Sequence, residues 1–284
     1  MADKKGLGVV GWTLVALGGL AVLGFMTLVA VCAGGAFWSV GNGEQYDATA
    51  VLHDDCENAF VSLVDEPSEE LQMLLEAVVE EVATATGNRS DDTEMDGDLI
   101  PRQVVACGAG DGGVVVVNMS SFSNLIGWSV GLVLNSEDAP SGEYRGATWW
   151  EPTAAGRFVR LDGTLILAMG VGVEPTVDAL LDGGQASSLR DRLVDAASTA
   201  DLVILDGEGP HGASLSLARA TSDDTLQIEV EADTKEALLA ACANATEFLS
   251  ELRVVCPDPS KTSGTIEVSG VRAAARAWAE ENAQ

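Results

Sequence analysis

The side chains from which this 284-residue chain could assemble a reaction are unevenly supplied: 44 Asp and Glu, five Cys and only two His. Imidazole titrates near neutrality and is the commonest metal ligand, so the two histidines bound the chemistry first. His53 stands in the run His53-Asp54-Asp55-Cys56. A catalytic Cys–His pair is brought together from separate segments, so neighbours this close read as a loop carrying a half-cystine at Cys56. His211 lies between Glu208-Gly209-Pro210 and Gly212, a turn composition. Ser214 nearby misses the G-x-S-x-G nucleophile elbow, which needs a strand entering the serine and a helix leaving it. With histidine scarce and no nucleophile motif, hydrolysis and zinc catalysis are disfavoured and no catalytic residue is assigned.

Two further patterns imitate ligand sites. Cys107 to Met119 reads CGAGDGGVVVVNM, and its glycines at 108, 110 and 113 have dinucleotide-binding spacing. That spacing carries meaning only where a helix follows to receive the pyrophosphate. Here four valines follow, so the stretch reads as a hairpin turn and its returning strand, and no cofactor is expected. Asp92, Glu94, Asp96 and Asp98, with Gly97 at the turn, partly match a calcium loop. Gln103 stands where the closing bidentate Glu belongs and Pro101 interrupts the tail, so the four acids are weak metal candidates on a solvated loop.

Four cysteines outside the apolar N-terminal region, Cys56, Cys107, Cys242 and Cys256, form an even set without C-x-x-C spacing. Two disulfides are expected, although four cysteines permit three pairings. Cys242 with Cys256 would staple a helix to the strand returning from it, leaving Cys56 with Cys107. The fifth, Cys32, reads as an inert thiol in an apolar segment. Only 15 Lys and Arg oppose the 44 acids, for a formal net charge of −29. Binding to phosphate needs clustered bases, so nucleic acid is not an expected partner; basic partners or cations are favoured.

No charged residue occurs from Gly6 to Gly43, a run longer than the roughly 20 residues a helix needs to cross a bilayer. The expectation is a cytoplasmic tip over 1–8, a transmembrane helix over 9–38 that makes the membrane itself a partner, a linker over 39–47 and an acidic ectodomain over 48–284, with a subdivision near 200. Lys4 and Lys5 before the run place the N-terminus inside and the bulk of the chain in the periplasm or extracellular space. A cleaved signal is the rival at Ala33-Gly34-Gly35-Ala36, and Val29-Ala30-Val31-Cys32 imitates a lipobox but for Val31.

These features need a frame. Leu71, Leu74, Leu75, Val78, Val79 and Val82 recur at helical spacing, predicting an amphipathic helix from Pro67 to Gly87. A hairpin over 103–119 and a helix over 120–134 follow, then strands at 144–151, 157–161 and 164–169. Helices are expected from Pro175 and from Ser188, the latter with Asp191 completing a capping box. Strands at ADLVILD, ASLSLAR and TLQIEVE, a helix from Asp233 to Leu252, a strand TIEVS and a terminal helix complete the chain. The segments 164–181 and 225–239 share a strand, an acidic helix start and Ala-Leu-Leu, so the fold class expected is α+β, with antiparallel strands and packed helices in a duplicated strand-strand-helix unit. Trp149 and Trp150 are adjacent on a strand and project to opposite faces, one into the core and the other either covered by a helix or available to a partner surface. Asn88, Asn118 and Asn244 match glycosylation sequons by chance.

The runs EYRGATWW, RFVRLDGTLILA and EPTVDALLDG resemble segments of uncharacterised bacterial envelope proteins that carry an N-terminal anchor and repeated α+β domains. The resemblance covers about a quarter of the chain and brings no activity or site residue with it. The function expected is a membrane-anchored, non-catalytic envelope protein that binds a partner protein or serves a structural role. An envelope hydrolase built from two carboxylates is the alternative, since glycosidic chemistry needs no more.

Overall fold

The computed structural model describes residues 44–63, 68–85, 101–110, 112–119, 130–135, 139–153, 156–209, 212–248 and 252–282. They form two compact units. One takes the described residues up to Leu63 and those within 98–195; the other takes those within 64–97 and from Ala196 onward.

The first unit is built on seven strands: β1 (Asn58–Leu63), β2 (Pro101–Ala109), β3 (Gly112–Met119), β4 (Ser141–Tyr144), β5 (Ala147–Thr153), β6 (Gly156–Leu161) and β7 (Thr164–Met169). Their order is β1-β2-β3-β7-β6-β5-β4, and every pairing is antiparallel. Register places Val61, Val105, Val116, Ile166 and Val159 opposite one another in a row across five strands. All five are at most 1% exposed. Val114 to Val117 are buried at consecutive positions, so β3 is covered on both faces, as an uninterrupted run of branched residues requires.

A strap over 44–56, including a short 3-10 helix at Ala48–Val51, adds to the packing of this unit, with Ala48, Ala50, Val51 and Leu52 buried. Two residues along the strands from the valine row, Gln103, Asn118 and Thr164 form a polar row in register. Asn118 donates to Gln103 Oε1 at 2.8 Å, and the Thr164 hydroxyl donates to Asn118 Oδ1 at 2.7 Å. The strap completes this row: the Tyr46 and Ala48 amides donate to Thr164 Oγ1 and Gln103 Oε1, and the Tyr46 carbonyl accepts from Asn118. Two helices, α2 (Val173–Asp182) and α3 (Ser188–Ala197), follow the strands. Arg190 ties α3 to the strap through Asp47 and the Thr49 hydroxyl. At Gly184 (φ +73°) an added Cβ would collide with the Ala50 carbonyl oxygen, so only glycine fits there.

The second unit carries α1 (Glu69–Ala85), β8 (Leu202–Gly209), β9 (Gly212–Ser222), β10 (Thr225–Ala232), α4 (Lys235–Phe248), β11 (Arg253–Val255), β12 (Ser263–Ser269) and α5 (Val271–Asn282). Its strand order is β11-β12-β10-β9-β8, again antiparallel. α4 buries Leu238 and Cys242 against Val230, Ile266 and Val268. Helices α1 and α5 pack together, with Leu74 and Ala77 of α1 buried.

The expected fold class is corrected by this architecture. The described chain is organised by twelve strands in antiparallel pairings with helices packed on them, and none of the described helices is a membrane span. The similar segments at 164–181 and 225–239 occupy different places: β7 is flanked by β3, which precedes it in the chain, and β10 by β12, which follows it. No described helix is long and apolar enough to cross a membrane; the longest, α1, has 17 residues and begins on two glutamates. The expected span over 9–38 lies outside the described residues. The strand expected at 144–151 is interrupted, because Arg145 and Gly146 both take positive φ (45° and 87°) and make a two-residue hairpin turn between β4 and β5. The cap of α3 also differs: the Ser187 hydroxyl accepts from the Arg190 amide, and Asp54 Oδ1 accepts from Ser187 Oγ and the Leu189 amide.

Truncating Ile166, the fully buried member of the valine row contributed by β7, leaves a cavity that the rigid sheet cannot close. Ile166→Ala should therefore cost about 2–5 kcal/mol, read as a lower urea midpoint with an unchanged slope. Hydrogen bonds from the Leu189 amide and the Ser187 hydroxyl hold the Asp54 carboxyl below its ordinary range. A depressed folded pKa contributes stability above the unfolded value near 3.9, and that contribution disappears as pH falls through the lower folded value. Wild type should thus lose more stability than Asp54→Asn between about pH 5 and 2 in parallel acid melts; parallel curves would show the cap to be inert.

Candidate functional site

On α4 the sequence turns Leu238 and Cys242 inward and leaves Leu239, Ala243 and Thr246 on the neighbouring stripe, at the four- and three-residue steps of one helical face. β11 ends after three residues. Pro257 has no amide to continue the ladder, and the chain turns through Asp258 to Lys261, where the Asp258 carbonyl accepts from the Lys261 amide. Cys242 and Cys256 join helix and turn in a disulfide with Cα atoms 5.9 Å apart. The second wall approaches closely enough that a Cβ at Gly264 would collide with Pro257.

Between these walls lies a groove of about 430 Å³ lined by Leu238, Leu239, Cys242, Ala243, Thr246, Cys256, Pro257 and Pro259. Among the described residues its lining contains no ionisable side chain. Leu239 is 47% exposed, and the Thr246 hydroxyl is engaged by the Cys242 carbonyl at 2.9 Å. At its edge Asp258 is held below the ordinary carboxylate range, mainly by the Ser260 amide. The arrangement offers apolar contact area and nothing to move a proton.

Several carboxylates elsewhere are engaged in structure. Arg272 bonds Glu81 at 3.0 Å and Asp223 at 3.0 Å, while Asp224 accepts from the Gly270 and Arg272 amides at the start of α5. Arg145 bonds Asp178 at 2.6 Å and Asp182 at 3.1 Å; its guanidinium holds Asp182 below the usual range. The Tyr144 hydroxyl donates to the same Asp178, which pushes the phenol up. Burial pushes the Asp206 carboxyl up; it sits on β8 opposite Ser214. His211 and the side chain of Glu208, the groups that would have made an acid–base site with such a carboxyl, lie outside the described residues.

Cys56 and Cys107 form the other disulfide, with Cα atoms 5.4 Å apart. His53 Nε2 stands 3.5 Å from Cys107 Sγ, and the His53 amide donates to Cys56 Sγ at 3.4 Å. The three donor atoms fall within 4.8 Å of one another, but each sulfur is bonded to the other and offers no thiolate to a metal in this state. Trp150 is buried against Phe158, with its indole N–H donating to Asn135 at 2.9 Å. Trp149 projects to the other face, half-buried over Gly142 and 5.5 Å from the Arg157 guanidinium. Asp92, Glu94, Asp96 and Asp98 lie outside the described residues, as does Asn88. Asn118 is buried in the polar row and is closed to modification. The glycine-rich turn at 108–113 joins two strands; a Cβ at Gly112 would stand 2.9 Å from Val171, so glycine serves close packing there rather than a phosphate.

Sequence reasoning missed the groove. The signal was Leu239, an apolar residue on the open stripe of a helix whose next turn is fastened to a Cys-Pro-x-Pro segment.

No protein-family model matches the chain, and no curated protein matches it. A solved structure, crystal form IV of TP0453, is similar with a TM-score of 0.45 and 10% identity, over 84% of this chain and 98% of that one.

The Cys242–Cys256 bridge closes a loop of 14 residues. Chain entropy assigns a loop of that size about 3 kcal/mol. Replacing both cysteines by serine should lower the stability of the second unit by about that amount in non-reducing urea titrations; an unchanged midpoint would show that the groove's walls are held by packing alone.

Proposed function

We propose that this is a non-catalytic envelope protein whose acidic domain binds a partner protein through the groove between α4 and the Cys256–Pro259 turn. One observation carries the reading: the described lining of the groove is apolar, open and without ionisable side chains, which suits a side-chain anchor of a partner and not a reaction. The two disulfides support an oxidising compartment. The uncharged run from Gly6 to Gly43 supports delivery to the membrane. The described carboxylates that do gather, Glu81, Asp223 and Asp224 around Arg272 and Asp178 and Asp182 around Arg145, are held by the guanidinium or by amides at the start of α5, which disfavours the free acid–base pair that the hydrolytic alternative would need.

Placing a photoreactive side chain at Ala243 in the native envelope should give a discrete protein adduct. Leu239→Asp should reduce that adduct roughly tenfold or more, because anchor residues carry about 2 kcal/mol or more of binding. The melting temperature should not move, since Leu239 is exposed. A photoreactive side chain at Glu229, exposed on another strand, serves as the control. Equal labelling from both positions, or none from either, would remove the reading.

A further inference from the structure

The trio His53, Cys56 and Cys107 is used neither by the groove nor by any of the salt bridges that fix the helices. We propose that it is a metal site in the dithiol state: once the Cys56–Cys107 bond is reduced, the two thiolates and His53 Nε2 bind a thiolate-seeking divalent ion such as Zn²⁺, and re-formation of the disulfide abolishes the site.

The donor set is gathered in one place, and reduction need only part the two bonded sulfurs to the spacing of separate thiolate ligands, about 3.8 Å for Zn–S near 2.3 Å. Two sulfurs and one imidazole nitrogen lie within 4.8 Å of one another. The nitrogen-to-sulfur separation of 3.5 Å equals what a tetrahedral ion would impose, since Zn–N near 2.0–2.1 Å and Zn–S near 2.3 Å place adjacent ligands about 3.5 Å apart. Supports besides the disulfide also hold the donors. Cys107 is in register between Ala59 of β1 and Val114 of β3. His53 and Cys56 are ends of one turn, closed by the Cys56 amide donating to the His53 carbonyl at 3.0 Å, directly after the fully buried Leu52. Asp55 Oδ2 lies 4.0 Å from His53 Nδ1, too far for a hydrogen bond and on an exposed side chain, so it contributes negative charge beside the ring and not its orientation. The cysteines are buried while the His53 side chain is 48% exposed, so the ring forms the mouth and one coordination position faces solvent. Two sulfurs and a nitrogen select a borderline or soft ion over calcium or magnesium.

The chemistry balances with a dithiol as the reductant. Its two thiols give up two protons and two electrons and close to a cyclic disulfide, while the Cys56–Cys107 bond breaks to two thiols. Metal binding then releases the two thiol protons, and a small disulfide, which takes up two electrons and two protons to become two thiols, returns the protein to the disulfide and frees the ion.

The test uses the full chain in detergent, reduced anaerobically with a phosphine that does not compete as a thiol ligand. One equivalent of Zn²⁺ should slow alkylation of Cys56 and Cys107 at least tenfold, read peptide by peptide by mass spectrometry, while Cys242 and Cys256 stay reactive. His53→Gln should lose that protection by roughly tenfold or more, since even an outer-shell partner is worth that much. Circular dichroism of the reduced chain checks that it remains folded, and the unreduced chain should bind no Zn²⁺ at this site. Reduced, folded protein whose Cys56 and Cys107 gain no protection, or equal protection in His53→Gln, would overturn the proposal.

Discussion

Burial of the row Val61, Val105, Val116, Ile166 and Val159 is the constraint on which the first unit rests. Because side chains alternate along a strand, a slip of one residue in any of the five would turn a branched apolar side chain to the opposite face and break the row. The row also sets its neighbours. Two residues to one side come Gln103, Asn118 and Thr164; two to the other comes Cys107, in line with Val105. The strap is thus attached at both ends by groups whose positions the row dictates, hydrogen bonds at Tyr46 and Ala48 and a disulfide at Cys56. The polar row is tolerable inside the unit because each member is satisfied: an unmet amide there would cost about 1–3 kcal/mol.

Charge is handled by local pairing. A chain with a net charge of −29 repels itself, and compactness is threatened most where acids gather. The arginines meet this by bridging pairs of acids: Arg145 between Asp178 and Asp182, Arg272 between Glu81 and Asp223. Other acids accept from helix amides, as Asp54 does at α3 and Asp224 at α5, where the partial positive charge of the helix start favours them. These pairs are exposed and individually weak. Their effect is to place acids where they terminate helices and hairpins, which accounts for Arg145 holding a left-handed conformation that a non-glycine residue adopts at a cost.

Strong local patterns were legible in the sequence. The hairpin at 101–119, the helix at 69–85 and β10, α4, β12 and α5 follow from valine runs, helical spacing and glycine turns, whereas the three-residue β11 was not foreseen. Both cysteine pairings match the reading that the short loop closes on itself and leaves the other two partners. The strap and β1 were not legible, because the acids, His53 and Asp54 around them have loop composition; their order comes from partners 50 or more residues away, such as Gln103, Thr164 and Arg190. Strand order was equally hidden. Nothing local tells β7 to pair with β3 or β12 to insert between β10 and β11, since both choices are made by matching buried faces across long separations.

The open groove has a cause in the backbone. A helix lying on a sheet ordinarily meets strands long enough to cover its flank, but β11 has three residues and is followed by proline, so the ladder beside α4 stops early. The disulfide then fixes the turn across the helix flank at a spacing set by Cys242 and Cys256, and Pro257 and Pro259 deny it the conformational freedom to collapse onto Leu239. A turn of ordinary composition would relax onto exposed leucine and bury it, since covering that much apolar surface is favourable at about 25 cal/mol per Å². Covalent closure and two rigid residues hold this one away, so the apolar wall persists as a property of the folded state and is available to whatever side chain can fill it.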